Sequence, residues 1–227
     1  MVTFLSKKLL FVVAHPDDES FTAAGTMWQN HKKGGKNYIF CATKGERGKG
    51  HFTKPVSQKK LKQIRRAEIT KAAKFLKVDG LFFGGLPDTK VKQHSKQLAE
   101  KVGTLIKRLK PDYIFSFGPD GISGHMDHIA AGQAAKQTAQ KFHLPFVAFA
   151  ASPAVRKNFK YIKARRRHGK YASSIRHALP NLQIKVDAKI KGKTLGFHKS
   201  QAGPSTLAGS FVRPVKNSFL NYEYFII

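Results

Sequence analysis

Four short apolar runs, each followed by a stretch of helical periodicity, constrain this chain more than any other feature. Residues 9–14 read Leu-Leu-Phe-Val-Val-Ala without a polar break and end against His15-Pro16-Asp17-Asp18-Glu19. A run that is apolar at every position suits a parallel strand buried on both faces. Residues 38–43, 81–83 and 113–117 repeat the pattern. Helix-like stretches follow them in turn: 21–28, 59–77, 97–109 and 127–141. The second carries its apolar positions at Leu61, Ile64, Ala67, Ala72, Phe75 and Leu76. Strands alternating with helices build right-handed βαβ units, so the expected fold is α/β, a doubly wound, mostly parallel sheet with helices on both faces. After Pro153 the pattern weakens to a loop at Gly203-Pro204-Ser205, a helix over 186–198 and a last strand over 222–227. A chain of 227 residues with no internal repeat or low-complexity linker reads as a single domain, 1–227, with a less regular C-terminal third.

Composition excludes several classes. Cys41 is the one cysteine, so no intrachain disulfide framework exists and any metal must rest on His and carboxylate ligands. On an apolar strand it reads as an inert core residue. Lys7-Lys8 before the first apolar run imitates a secretion signal, but the run stops at His15 with no small-residue cleavage site. No segment approaches the roughly 18 apolar residues of a membrane helix. The reading is therefore cytoplasmic, with no membrane partner.

The net charge is +29, from 42 basic and 13 acidic residues. Eight of the fifteen residues 156–170 are Lys or Arg. Such a field attracts an anionic substrate, nucleic acid or anionic lipid, or it is simply a solvated surface. With Phe159, Tyr161 and Tyr171 beside it, the tract makes a basic nucleic-acid-binding protein the alternative from a different class.

Ligands of open parallel sheets bind beyond the carboxyl ends of the strands. The first strand ends at His15; the fourth is followed by Gly118-Pro119-Asp120-Gly121-Ile122-Ser123-Gly124 and then His125-Met126-Asp127-His128. These two segments are expected to face each other. Three of the 13 acidic residues are consecutive at 17–19, and Asp120 and Asp127 lie close to His125 and His128. Gathering carboxylates costs repulsion and desolvation unless a cation compensates. Zinc accepts His nitrogen and carboxylate oxygen, and a catalytic site keeps three protein ligands and an open position. Two histidines and one aspartate supply such a set.

Ala14-His15-Pro16-Asp17-Asp18-Glu19, paired with Gly124-His125-Met126-Asp127-His128, resembles the PIG-L/LmbE family of zinc-dependent N-deacetylases. The resemblance continues at Thr43-Lys44-Gly45-Glu46-Arg47-Gly48, Arg65-Arg66-Ala67-Glu68, His198-Lys199-Ser200-Gln201 and Glu223-Tyr224-Phe225. Two departures concern helix ends: Met126 stands where Pro is usual, and Lys77 where Gly is usual.

The resemblance implies a Rossmann-like fold and a zinc ion (Zn2+) held by His15, Asp18 and His128. Iron also suits two histidines and a carboxylate. It implies Asp17 as general base, His125 as a stabiliser of the oxyanion, and Asp127 as the group that orients or charges His125. Arg65 and Asp88 are implied as contacts to sugar hydroxyls. His198 falls near the pocket or at a structural interface, with the two left open. The implied reaction removes an acetyl group from an amino sugar of N-acetylglucosamine type, or from its conjugate, and releases acetate and a free amine. The basic charge favours an anionic substrate, and a homo-oligomer is compatible with the reading. An amide hydrolase acting on another small conjugate is the nearer alternative.

Overall fold

The computed structural model describes residues 4–48, 52, 55–156, 179–201 and 218–227. Residues 157–170 of the basic tract, Tyr171 and the loop expected at Gly203-Pro204-Ser205 lie outside them. Strand β1 (Lys8–Val13) is the centre of the molecule, with Leu9 to Val13 fully buried, as an all-apolar run demands. Parallel to it on either side run β2 (Lys36–Cys41) and β4 (Tyr113–Phe117). Next to these, again parallel, are β3 (Gly80–Phe83) and β5 (Phe146–Ala150). The far edge holds β6 (Leu182–Lys185) and β7 (Tyr222–Ile226), with β7 antiparallel to both its neighbours. The sheet order is β3-β2-β1-β4-β5-β7-β6.

The chain thus winds outward in one direction from β1 and in the other from β4. Where winding reverses, no connection covers the carboxyl ends of the two strands, and a crevice opens there. Helices α1 (Asp18–Thr22), α2 (Ala24–Lys32) and α3 (Gln58–Phe75) follow β1 and β2. Helix α4 (Ser95–Leu109) follows β3; a short turn, α5 (Gly121–Gly124), and the longer α6 (Met126–Lys141) follow β4. A single turn, α7 (Pro153–Arg156), follows β5, and α8 (Ala188–Leu195) follows β6. On one face α4 packs with α6; on the other α8 packs with α2 and α3.

Local chemistry sets these elements. Ser57 caps α3 by accepting the Lys60 N–H at 3.2 Å. In α4 the buried Leu98, Val102, Leu105 and Ile106 form one helical stripe. Helix α6 turns Ala130, Ala131, Ala134, Ala135 and Ala139 inward, so it lies close to the sheet. At Gly132 a Cβ would stand 2.2 Å from the Phe117 carbonyl oxygen, so glycine alone permits this approach. That seat brings the start of α6, with His125 and His128, over the crevice. Beneath, Phe4, Phe115 and Phe225 meet edge to face, Phe4 to Phe115 at 5.0 Å and Phe115 to Phe225 at 5.7 Å.

The four expected strands and their helices are present with end shifts of a few residues. The helix expected over 186–198 is shorter, Ala188–Leu195, and β5 and β6 add two strands that the sequence reading left unassigned.

The departure at Lys77 has a structural counterpart. The Val78 N–H donates to the Ala73 carbonyl at 3.0 Å, a Schellman-type closure of α3, and Lys77 takes the left-handed position at φ 56°. A side chain there costs about 1–2 kcal/mol, part of which glycine returns as unfolded-chain entropy. Lys77→Gly is therefore expected to raise unfolding free energy by about 1 kcal/mol in denaturant titration. A loss of stability would contradict this account of the helix end.

Candidate metal centre

The chain leaves β1 and at once folds back on itself. Asp18 Oδ2 accepts the N–H groups of Ala14 at 3.1 Å and His15 at 2.8 Å, so its carboxylate is locked under the end of the strand. Its other oxygen, Oδ1, lies 3.2 Å from His128 Nε2. His128 is oriented from behind: its Nδ1 is 3.0 Å from the Gly121 carbonyl, and its ring stacks on Phe117 at 4.1 Å. A carbonyl only accepts, so Nδ1 carries a proton and Nε2 is the ring atom that faces the crevice. His15 Nδ1 approaches that nitrogen to 3.3 Å and lies 3.8 Å from Asp18 Oδ2.

Ligands about 2.0–2.2 Å from a tetrahedral zinc stand roughly 3.3–3.5 Å apart. His15 Nδ1 to His128 Nε2 at 3.3 Å and His128 Nε2 to Asp18 Oδ1 at 3.2 Å lie near those edges, while His15 Nδ1 meets Asp18 at 3.8 Å through the other oxygen, Oδ2. Histidine and carboxylate donors of this kind suit a divalent ion.

The outer nitrogen of His15 is held by carboxylates. Asp127 Oδ2 and Asp88 Oδ1 each lie 3.2 Å from His15 Nε2. A metal-ligating histidine commonly gives its second N–H to a carboxylate, which fixes the ring and strengthens the ligand. The three groups His15, Asp88 and Asp127 could themselves hold an ion, as could His15, His125 and His128. In the first of these groups the carboxylates also accept backbone N–H groups, as Asp18 does. Asp127 accepts from Thr89 N at 2.7 Å and Val91 N at 3.1 Å, and Asp88 accepts from Arg47 N at 2.8 Å.

Electrostatics carry the same message. Burial opposes charge on His15, yet hydrogen bonds to Asp127 and Asp88 and the charge of Asp18 push its pKa up to about 10. Burial disfavours ionised Asp88, but His15 and the Arg47 N–H bring it down to about 2. Asp18 is likewise held ionised against its burial, chiefly by His128. The cluster favours positive charge at its centre.

Asp17 differs from these. Its side chain is 31% exposed, its backbone sits at φ 122°, and Oδ1 pairs with Arg65 Nη2 at 3.2 Å. Burial raises its pKa, Arg65 opposes that rise, and the neighbouring Asp18 charge adds to it. His125 caps α6, its Nδ1 accepting the Asp127 N–H at 3.2 Å. That places the His125 proton on Nε2, as a donor, in the neutral ring.

The structure brings His15, Asp17, Asp18, His125, Asp127 and His128 together, as expected from the sequence. It places three expected roles differently. The Asp127 carboxylate is hydrogen-bonded to His15, while its backbone N–H donates to His125 and its charge also acts on that ring. Asp88 is buried against His15, where a sugar contact was expected. Arg65, 3% exposed, donates to the Pro16 and Gly45 carbonyls besides pairing with Asp17. Gly45 makes room for it, since a Cβ there would stand 2.4 Å from the guanidinium. The sequence reading missed Phe117 and Gly121 behind His128, and the backbone N–H groups of Thr89 and Val91; neither carries a residue-type signal. His198 lies on Glu19, and Cys41 is buried.

A doubly wound α/β domain with a His/Asp cluster able to hold a metal at its switch point is the class that fold and site define. The family model described as PIG-L, GlcNAc-PI de-N-acetylase, matches residues 10–139, and the chain belongs to that family. Over 167 residues it is 28% identical to the 1D-myo-inositol 2-acetamido-2-deoxy-alpha-D-glucopyranoside deacetylase of Corynebacterium diphtheriae, covering 64% of this chain and 57% of that protein. Over 133 residues it is 32% identical to the probable N-acetyl-alpha-D-glucosaminyl L-malate deacetylase 2 of Bacillus subtilis, covering 57% of this chain and 59% of that one. The matches thus span less than two thirds of these relatives. Among solved structures, the N,N'-diacetylchitobiose deacetylase of Pyrococcus horikoshii superposes with a TM-score of 0.70 at 21% identity, covering 97% of this chain and 83% of that one. The 4-carboxy-2-hydroxymuconate hydratase of Pseudomonas putida does so at 0.65 and 19%, covering 94% and 82%. At these identities the likeness is one of fold.

Two substitutions test the centre. His128→Ala is expected to abolish stoichiometric zinc binding, measured by elemental analysis after dialysis, and full occupancy would contradict the ligand set. Asp127→Asn is expected to keep the site but weaken zinc about 10- to 100-fold in a competition titration, the usual worth of a carboxylate behind a histidine ligand.

Proposed function

We propose that this chain is a zinc-dependent hydrolase that removes the N-acetyl group from an amino sugar or aminosugar conjugate, releasing acetate and a free amine. The observation that carries the reading is the cluster of His15 Nδ1, His128 Nε2 and the two oxygens of Asp18, with the next carboxylate in sequence, Asp17, paired instead with Arg65. His15, Asp18 and His128 would hold the ion. Zinc, when bound, lowers the pKa of water and polarises an amide carbonyl.

The remaining work falls to the chain. Asp17 accepts a proton from the attacking water and returns it to the departing nitrogen, which leaves as the amine. Its raised pKa suits that exchange better than an ordinary carboxylate would. Arg65 fixes Oδ1, so the carboxylate is oriented by an ion pair. His125 directs its Nε2–H toward the oxyanion that develops as water adds to the carbonyl. Asp127 and Asp88 keep the His15 ring in place. Family membership and the named activities of the relatives support acetylated amino sugars as the substrate class.

An anionic conjugate is the finer reading. Lys44, Lys62 and Arg66 gather after β2 and along α3, close enough that burial and then the two other cations lower the Lys44 pKa. Such a cluster gains from a bound anion. One sheet joins residues 8 to 226, which supports a single domain over 1–227. Among the described residues no helix is long and apolar enough to cross a membrane. A cytoplasmic location rests on the sequence reading.

Asp17→Asn separates chemistry from metal binding. The variant is expected to keep one equivalent of zinc while turnover falls about 10²- to 10⁴-fold, the range for a positioned acid–base group. Amine release from a panel of acetylated sugars, with zinc assayed in parallel, reads both. Loss of zinc together with activity would make Asp17 a ligand; unchanged turnover would remove it from the chemistry.

A further inference from the structure

Asp17 occupies a backbone conformation, φ 122° and ψ −27°, that side-chain-bearing residues rarely adopt. Such a residue persists only where its surroundings over-determine it. Its carbonyl accepts from Ser20 N and Phe21 N, each at 3.0 Å, which begins α1. Its N–H points the other way, to Glu19 Oε2 at 3.0 Å. Glu19 is fully buried, and its second oxygen, Oε1, takes His198 Nε2 at 2.7 Å and the Ser20 hydroxyl.

His198 is 2% exposed, too enclosed to meet a sugar, and it reaches Glu19 from just beyond α8. Its own place is set by Ser200, whose N–H and hydroxyl donate to the two oxygens of Glu68 at 2.7 and 2.6 Å. Glu68 lies one turn beyond Arg65 in α3. One helix face therefore grips the Asp17 carboxylate through Arg65 and, through Glu68 and Ser200, anchors the histidine that backs the Asp17 amide.

We propose that His198 is a positioning residue for Asp17: its Nε2–H holds Glu19, so that Glu19 holds the Asp17 amide and with it the strained turn that aims the Asp17 carboxylate. The catalytic meaning rests on the reading of Asp17 as base; the mechanical coupling does not. A histidine that merely filled space would support the whole crevice evenly. This one meets Glu19 and, at 3.1 Å, the Ser20 hydroxyl, and through Glu19 it is connected to the Asp17 peptide.

Amide hydrogen exchange by NMR on the full chain, with and without added zinc, tests the coupling. In His198→Ala the Asp17 amide is expected to exchange about ten- to a hundredfold faster relative to the amides of β1, the worth of a hydrogen bond that a charged partner strengthens. His198→Gln, whose carboxamide N–H can reach Glu19, should recover most of that protection. Glu19→Gln, which keeps the shape and weakens the acceptor, should move the Asp17 amide in the same direction and serves if His198→Ala does not fold. An Asp17 amide that speeds up no more than β1 in these variants overturns the proposal. In turnover, His198→Ala should lower kcat with KM and zinc content unchanged, and a rise in KM alone overturns it too. A wild-type chain that released no amine from any acetylated sugar would remove the proposed function and leave the exchange comparison standing.

Discussion

Two imidazole nitrogens 3.3 Å apart, with a carboxylate oxygen 3.2 Å from one of them, are the constraint around which this molecule is arranged. Lone pairs so placed repel unless a cation or a proton sits between them, and the surrounding carboxylates make that cation favourable. The scaffold supplies the approach from two directions. Strand β1 delivers His15 and Asp18 as it ends; α6 delivers His128 because Gly132 lets the helix lie against Phe117. Behind the three groups, Asp88, Asp127, Gly121 and Phe117 hold ring orientation, so precision at the centre depends on parts contributed by β3, β4 and the loops after them.

Charge is distributed with a division of labour. The chain is strongly basic, yet eight of its 13 acidic residues (Asp17, Asp18, Glu19, Glu46, Glu68, Asp88, Asp120 and Asp127) gather at or around the crevice. Each buried carboxylate there accepts backbone N–H groups or faces a cationic partner, which is how a low-dielectric site tolerates them. An acidic centre in a cationic protein offers a metal site to a cation and an attractive field to an anion.

Much of this was legible in the chain, and the rest was hidden for identifiable reasons. Strand β1 is readable because six apolar residues in a row have no other use at that length, and the acidic triple beside it has no other compensation. Arg65 and Asp88 were visible as residue types, but their partners are the Pro16 and Gly45 carbonyls and the His15 ring, which only tertiary packing supplies. Asp127 looked like a neighbour of His125 because the two are close in sequence, whereas the helix start turns its carboxylate toward Thr89, Val91 and His15. Strand β6 has one buried residue, Ile184, and so lacks the apolar run that revealed the central strands. His198 carried a motif without a role until the fold placed it against Glu19.

The central claim concerns which atoms hold the ion. Zinc K-edge X-ray absorption on the full chain loaded with one equivalent of metal reads them directly. The account predicts nitrogen and oxygen ligands at about 2.0–2.2 Å, multiple scattering from two imidazoles, and no sulfur, since Cys41 is buried in the sheet. A third imidazole would bring His125 into the ligand set and remove it as an oxyanion donor, and a sulfur ligand near 2.3 Å would contradict the centre described above.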